Sequence, residues 1–219
     1  MNRFDEISLS WQRGHNTERH IIGSLRKQPD GKFLFQYDVA GVAKAKIDGF
    51  STYTEFPDLQ RTYNGTVLDI FAQRLMKPER SDIQTFYDFW EVDPAKVTDK
   101  YYMLAHTQGL LPTDNFEFLA DYNPVEGLHF LTDLAHLTEV KLPSGSVRPH
   151  DVLTYKLDAG NSFDDKSVRV YKDGKEIGFI KKVHCRLFHK AGAENLSLTV
   201  KAVDQNGFIK RIFVKVEKK

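Results

Sequence analysis

The residues best suited to chemistry lie in the last third of the chain. Asn161-Ser162-Phe163-Asp164-Asp165-Lys166 sets an amide, an aromatic ring and a carboxylate close together, just ahead of the alternating run Ser167-Val168-Arg169-Val170. Asp173-Gly174 follows, then Glu176-Ile177-Gly178-Phe179-Ile180 and a basic exit at Lys181-Lys182. In physical terms this is a polar turn carrying one ring and one carboxylate into a strand, then a hairpin, then two cations. Aspartate is plentiful, yet no pair stands out as an acid–base couple, and the acids fit a solvated surface. His184, Cys185 and His189 form the closest cluster of metal-type ligands. On a helix, neighbours and residues five apart point to different faces, so this spacing does not suit zinc. Cys185 fits a small packed side chain better than a nucleophile.

Enzyme signatures are missing. There is no Gly-Lys-[Ser/Thr] phosphate loop, no Gly-rich dinucleotide turn and no Gly-x-Ser-x-Gly elbow. Kinase-type catalytic and metal-binding motifs are missing too. The expectation is a protein that is not an enzyme and uses no cofactor or metal. A metal-dependent nuclease is the least favoured reading, because no carboxylate–histidine set is evident.

The elements that must position these residues fall into two groups. Ile7, Leu9 and Trp11 alternate on one face of a strand, and runs at 20–25 and 32–37 flank the turn Pro29-Asp30-Gly31 as a hairpin. Residues 38–60 show no clean period and read as loop with a short strand near Tyr53. Val67, Leu68, Phe71 and Leu75 then recur at helical spacing up to Pro78. Ser81 caps a second helix through Ile83, Phe86, Tyr87 and Trp90. Asp93-Pro94 opens a third, which runs to a stop at Gly109. After Asn123-Pro124 the pattern returns to short strands at 152–157, 167–171 and 176–180. A helix spans Lys182 to Ala191 with a stop at Gly192, and a last hairpin turns on Asn206-Gly207. The fold class expected is α+β: an N-terminal small antiparallel sheet with about three helices over 1–122, and a C-terminal small β-barrel with one helix over 123–219. Asp121–Glu126 reads as the connection.

Charge divides the same way. The chain of 219 residues carries 31 Lys+Arg and 30 Asp+Glu, for a net charge of +1. Residues 1–126 hold 14 basic and 19 acidic side chains, residues 127–219 hold 17 and 11, so an acidic half precedes a basic one. Apolar content of 41% argues for a folded chain rather than a disordered one. A single cysteine fits a reducing cytoplasm. No apolar run approaches the roughly 18–20 residues of a membrane span, and the first residues lack a secretory signal. No membrane association is expected.

The pattern Asn161-x-Phe163-Asp164-x-x-Ser167-Val168, then Asp173-Gly174-x-x-Ile177-Gly178-Phe179, resembles the HIRAN domain, a small β-barrel module of bacterial proteins and chromatin-remodelling helicases. Gly127-Leu128-His129-Phe130-Leu131 resembles that family's first strand, and the resemblance covers about 125–217. It implies binding of single-stranded DNA with capture of a free 3′ end. By that resemblance Phe130 and Phe163 stack on bases, Asn161 and Asp164 hold the terminal sugar and phosphate, and Lys181 and Lys182 meet phosphates. Base–aromatic stacking contributes about 1–3 kcal/mol per base, and lysines add salt-dependent affinity. The sequence departs from the family at His129, where DNA-binding members carry arginine. It also has phenylalanine for tyrosine at both stacking positions, and Phe179 where a histidine can sit. Phenylalanine stacks but donates no hydrogen bond. On residue type alone, Phe130, Phe163 and Phe179 equally fit a barrel core, and Asn161 and Asp164 equally fit the shaping of a turn.

The acidic half resembles the N-terminal subdomain of HipA-type toxin kinases over about 19–115. The similarity lies in Ile22-Gly23-Ser24-Leu25, Pro29-Asp30-Gly31-Lys32-Phe33-Leu34-Phe35-Gln36-Tyr37-Asp38, Phe56-Pro57, Phe71-Ala72-Gln73-Arg74-Leu75 and Tyr102-Met103-Leu104-Ala105-His106-Thr107-Gln108-Gly109. The kinase core that follows it in that family does not follow it here. The resemblance implies a bacterial toxin–antitoxin setting in which this half engages a separate HipA-like kinase. Two functions remain open: a DNA-binding adaptor that also contacts such a kinase, or an antitoxin that neutralises it by protein–protein contact with no DNA role.

Overall fold

A computed structural model describes residues 3–14, 17–111, 114–137, 141–158, 166–190 and 193–218. The chain divides into two compact units, one formed by 4–120 and the other by 121–219 together with Arg3. The class is mixed α+β, as the patterning predicts: a small antiparallel sheet with helices, and a curled six-stranded sheet with a helix.

In the first unit β1 (Phe4–Gln12), β2 (Arg19–Lys27) and β3 (Phe33–Tyr37) form a meander. With β4 (Phe116–Tyr122) the sheet order is β3-β2-β1-β4. The region 38–60 departs from the loop expected of it. Asp38 accepts from the Gly41 N–H and starts α1 (Val39–Ile47). Only Val42 and Ala45 of α1 are buried, so its apolar face is too narrow to show as a period. Gly41 is what brings α1 onto β2, since a Cβ there would stand 1.8 Å from the Ile21 carbonyl oxygen. The strand expected near Tyr53 is also corrected: it is Tyr63 that bridges to Phe35, by two backbone bonds of 2.8 and 2.9 Å.

Helices α2 (Val67–Ala72) and α3 (Ile83–Trp90) fall where the spacing predicts, although Asp82 rather than Ser81 stands at the N-cap of α3. The single helix expected after Asp93-Pro94 is two pieces. A 3₁₀ turn at Pro94–Lys96 comes first, and Asp99 then caps α4 (Lys100–Thr107), accepting from the amides of Tyr101 and Tyr102. Phe35, Phe71 and Phe118 pack at centroid distances near 5 Å at the centre of this unit. Beside them the buried Arg74 donates to both oxygens of Asp114 (2.6 and 2.7 Å) and to the Gly109 carbonyl (3.0 Å).

The second unit is a sheet in the order β5-β10-β9-β6-β7-β8. The strands are β5 (His129–Asp133), β6 (Val152–Asp158), β7 (Ser167–Lys172), β8 (Lys175–Phe179), β9 (Leu196–Asn206) and β10 (Phe208–Lys218). Two backbone bonds between Ala135 and Phe179 draw the two edges together. Gly178 permits that approach. It has φ +147°, and a Cβ there would meet the Ala135 carbonyl oxygen at 2.9 Å. Val168, Val170, Leu198, Val200, Val214 and Val216 alternate inward and are buried. The helix α5 (Lys182–His189) turns Val183, Cys185, Leu187 and Phe188 inward, with Phe188 edge-on to Tyr155 of β6. No helix among the described residues is long and apolar enough to cross a membrane.

Candidate nucleic-acid interface

The C-terminal unit holds all the predicted site residues. Asn161, Phe163 and Asp164 lie outside the described residues, in the connection between β6 and β7. The described ones are not brought into a single cluster.

Phe130 belongs to the core. It is 1% exposed, and its ring lies 4.0 Å from that of Tyr122 at an interplanar angle of 22°, with His184 of α5 tilted against it at 5.1 Å. Its place on β5 alternates with Leu131, and the inward side of that strand meets α5. A ring closed in this way offers no face to a base, which corrects the expectation that Phe130 is a stacking platform. Lys181 is corrected likewise. Its side chain is fully buried against Asp133, whose other oxygen pairs with Arg211 at 3.0 Å. A lysine so placed holds β8 to β5 and does not reach a phosphate. His184 and Cys185 are also buried, and Cys185 donates its thiol hydrogen to the Ile180 carbonyl. Among the described residues no group of three His, Cys, Asp or Glu side chains could hold a metal ion.

Phe179 is half-buried. The guanidinium of Arg169 lies 5.3 Å from its centroid and His136 meets it edge-on at 5.6 Å. Arg169 is held by Asp158 (2.7 Å) and Glu176 (2.8 Å), and these two hydrogen bonds keep its pKa above the ordinary guanidinium value. One face of Phe179 is therefore already occupied by a cation.

Lys182 is exposed, as its predicted role requires. One turn along α5 stands Arg186, 57% exposed and touching Asp121 only end-on at 3.4 Å. Lys190, just past the helix, has a different task. Its three N–H groups go to Asp121 (3.1 Å), the Tyr122 carbonyl (2.8 Å) and Asn123 (2.9 Å), which ties residues 121–123 to the end of α5 within the C-terminal unit. His189 contacts the Lys166 carbonyl at 3.1 Å, so α5 adjoins the entry to β7.

His129, half-buried at the start of β5, has an unforeseen neighbour. Arg3 donates from Nη2 to the His129 carbonyl at 3.0 Å and lies 3.4 Å from its Nδ1, while the Arg3 carbonyl accepts from the Asn123 N–H at 2.9 Å. Sequence reasoning missed Arg186 and Arg3. Arg186 was findable, because Lys182 and Arg186 are four apart on the face opposite Val183 and Leu187. Arg3 was not, since 126 residues separate it from its contact.

No family model matches this chain, and no curated protein matches it. Among solved structures, the HIRAN domain of human HLTF is similar over 42% of this chain and 76% of that one, at 16% identity and a TM-score of 0.33. At that identity and score the likeness assigns no role to any residue.

Proposed function

We propose that the C-terminal unit binds nucleic acid, as single-stranded DNA or a DNA end, and that the protein acts as a binding adaptor without catalysis. The observation that carries this is the pair of exposed cations, Lys182 and Arg186, on the outer face of α5. The His189–Lys166 contact sets that helix against the entry to β7, and Asn161, Phe163 and Asp164 precede Lys166 in the sequence. Two cations one helical turn apart suit successive phosphates, and the ring, amide and carboxylate of the 161–164 sequence pattern suit a base and a sugar hydroxyl. The HIRAN-like order of residues across 125–217 supports the same reading. It is tested by titrating labelled oligothymidylate, with free and blocked 3′ ends, over a salt series. Each phosphate contact on a single strand contributes about 0.7 to the slope of log affinity against log salt. Lys182→Ala with Arg186→Ala therefore lowers the slope by about 1.4, and Phe163→Ala weakens binding at every salt concentration. Lack of binding by the unmodified protein, or no effect of these changes, sinks the reading.

A second reading concerns the N-terminal unit, for which we propose contact with a separate HipA-like kinase. Phe86, Tyr87 and Phe89 of α3 are each half-exposed, the type of ring that anchors protein interfaces. If this contact is the whole function, kinase neutralisation survives the Lys182 and Arg186 changes and fails with Phe86→Ala and Phe89→Ala. Failure to co-purify with such a kinase removes it.

A further inference from the structure

We infer that Arg3 is a phosphate-binding residue of this interface, contributed from the opposite end of the chain; the inference rests on the nucleic-acid reading of the C-terminal unit. Three features of its guanidinium carry it.

The first is position. Arg3 groups with 121–219 and not with β1, which begins at the next residue. Both its backbone and its side chain are fixed there. Its carbonyl accepts from Asn123, and Nη2 donates to the His129 carbonyl. Ordering a long side chain costs conformational entropy, and here that cost is already met in the folded protein.

The second is charge. Arg169, Arg186 and Arg211 of the same unit each face a carboxylate. Arg3 meets a carbonyl oxygen and an imidazole nitrogen, and among the described residues no carboxylate pairs with it. A carbonyl satisfies a donor but leaves the positive charge in place.

The third is an orphaned donor. Nε of Arg3 is buried and has no acceptor. Buried donors in folded proteins are nearly always paired, so one left over on a cation calls for an explanation. A guanidinium desolvated along one edge, without a counter-charge, is poorly stabilised by its surroundings, and an anion arriving at the open edge relieves that. Nη2 is taken by His129, so Nη1 is the nitrogen left to receive an anion. A phosphodiester oxygen of a bound strand suits it, because a guanidinium matches phosphate geometry and keeps its charge at any physiological pH.

A tie that merely holds the chain start in place would use the hydrogen bond to His129 and not the charge. Arg3→Gln compared with Arg3→Lys separates the two, since both give up the reach of the guanidinium fork and only the glutamine gives up the charge. Arg3→Lys keeps the charge and gives up the fork. The full-length protein and both variants are titrated with oligothymidylate across a salt series, and their thermal midpoints are compared. The expected result is a slope lowered by about 0.7 in Arg3→Gln and unchanged in Arg3→Lys, with all three midpoints close together. A slope in Arg3→Gln equal to that of the unmodified protein overturns the inference while leaving the nucleic-acid reading intact. So does an equal loss of slope in both variants. If the unmodified protein does not bind, the nucleic-acid reading fails and takes this inference with it.

Discussion

Arg74 in the N-terminal unit and Arg3 in the C-terminal unit are both guanidiniums drawn out of water, and they are satisfied in opposite ways. Burial pushes the Arg74 pKa down, but the paired hydrogen bonds it donates to Asp114 outweigh that and the net shift is upward. Phe116 and Phe118 lie 5.7 and 5.6 Å from that charge, and the Gly109 carbonyl takes its third donor. Arg19 is likewise paired with Glu117, itself buried. In the C-terminal unit the Lys181–Asp133–Arg211 set is built on the same plan, whereas Arg3 meets a carbonyl and an imidazole in place of a carboxylate, and Lys182 and Arg186 stand exposed on α5. The difference separates charge used to close a fold from charge presented to a ligand. Neither the count of basic residues nor the net charge of each half makes that distinction; the partner of each cation does.

A large effect is expected from breaking this comparison at Arg74. Arg74→Ala leaves the part-exposed Asp114 without its partner and opens a gap beside the aromatic core, and costs about 2–3 kcal/mol. Urea denaturation followed by tryptophan fluorescence measures it, since Trp11 and Trp90 both lie in that unit. A loss below about 1 kcal/mol would mean that the pair does not hold the unit together.

Adjacent lysines then sharpen the contrast within the C-terminal unit. Lys181→Ala takes from the buried Asp133 one of its cations and costs about 3 kcal/mol. Lys182→Ala changes stability by no more than about 0.5 kcal/mol. Affinity for an oligonucleotide should follow the reverse order among folded proteins, falling with Lys182→Ala and holding with Lys181→Ala. The two changes, compared by chemical denaturation and by binding at one salt concentration, should cross over. If they shift both quantities alike, the assignment of the two side chains is wrong.

How far all this was legible in the sequence depended on the range of the interaction. The hairpins at Pro29-Asp30-Gly31 and Asn206-Gly207, the α3 stripe and the inward residues of α5 were readable, because each is set by neighbours within a turn or two. Helix α1 was not, because Ala43, Lys44 and Lys46 dilute its apolar face and Gly41 contributes only by close approach to β2. Strand β4 was missed altogether, since 116–122 is buried almost throughout and shows no alternation. At the candidate site, residue type placed Lys182 outside, while Lys181 and Phe130 were misjudged for one reason. The burial of Lys181 depends on Asp133, 48 residues away, and that of Phe130 on the packing of β5 against His184 of α5, 54 residues away, both brought close only by the fold.

The smallest effect concerns protons in the N-terminal unit. Tyr37 is buried beside Phe35, with ring centroids 4.8 Å apart, and its hydroxyl oxygen accepts from the Tyr53 N–H at 3.0 Å. Burial pushes its pKa up to about 12, a shift that the Tyr53 bond only partly opposes. Burial also raises Tyr101, whose hydroxyl donates to the Leu25 carbonyl at 3.2 Å. An unfolded chain releases a phenolic proton near pH 10, whereas the folded protein keeps the Tyr37 proton until about 12. In that window the unfolded state binds fewer protons, so stability falls as pH rises, by about 1.4 kcal/mol per unit for each such phenol. Below pH 10 the contribution is fully present and the slope from this source is zero. Urea midpoints at pH 9, 10 and 11 should therefore be level and then decline. Tyr37→Phe lowers the midpoint at pH 9 by losing the acceptor for Tyr53, about 1 kcal/mol, but makes the decline above pH 10 shallower. An unaltered decline in that variant would place the titrating group elsewhere.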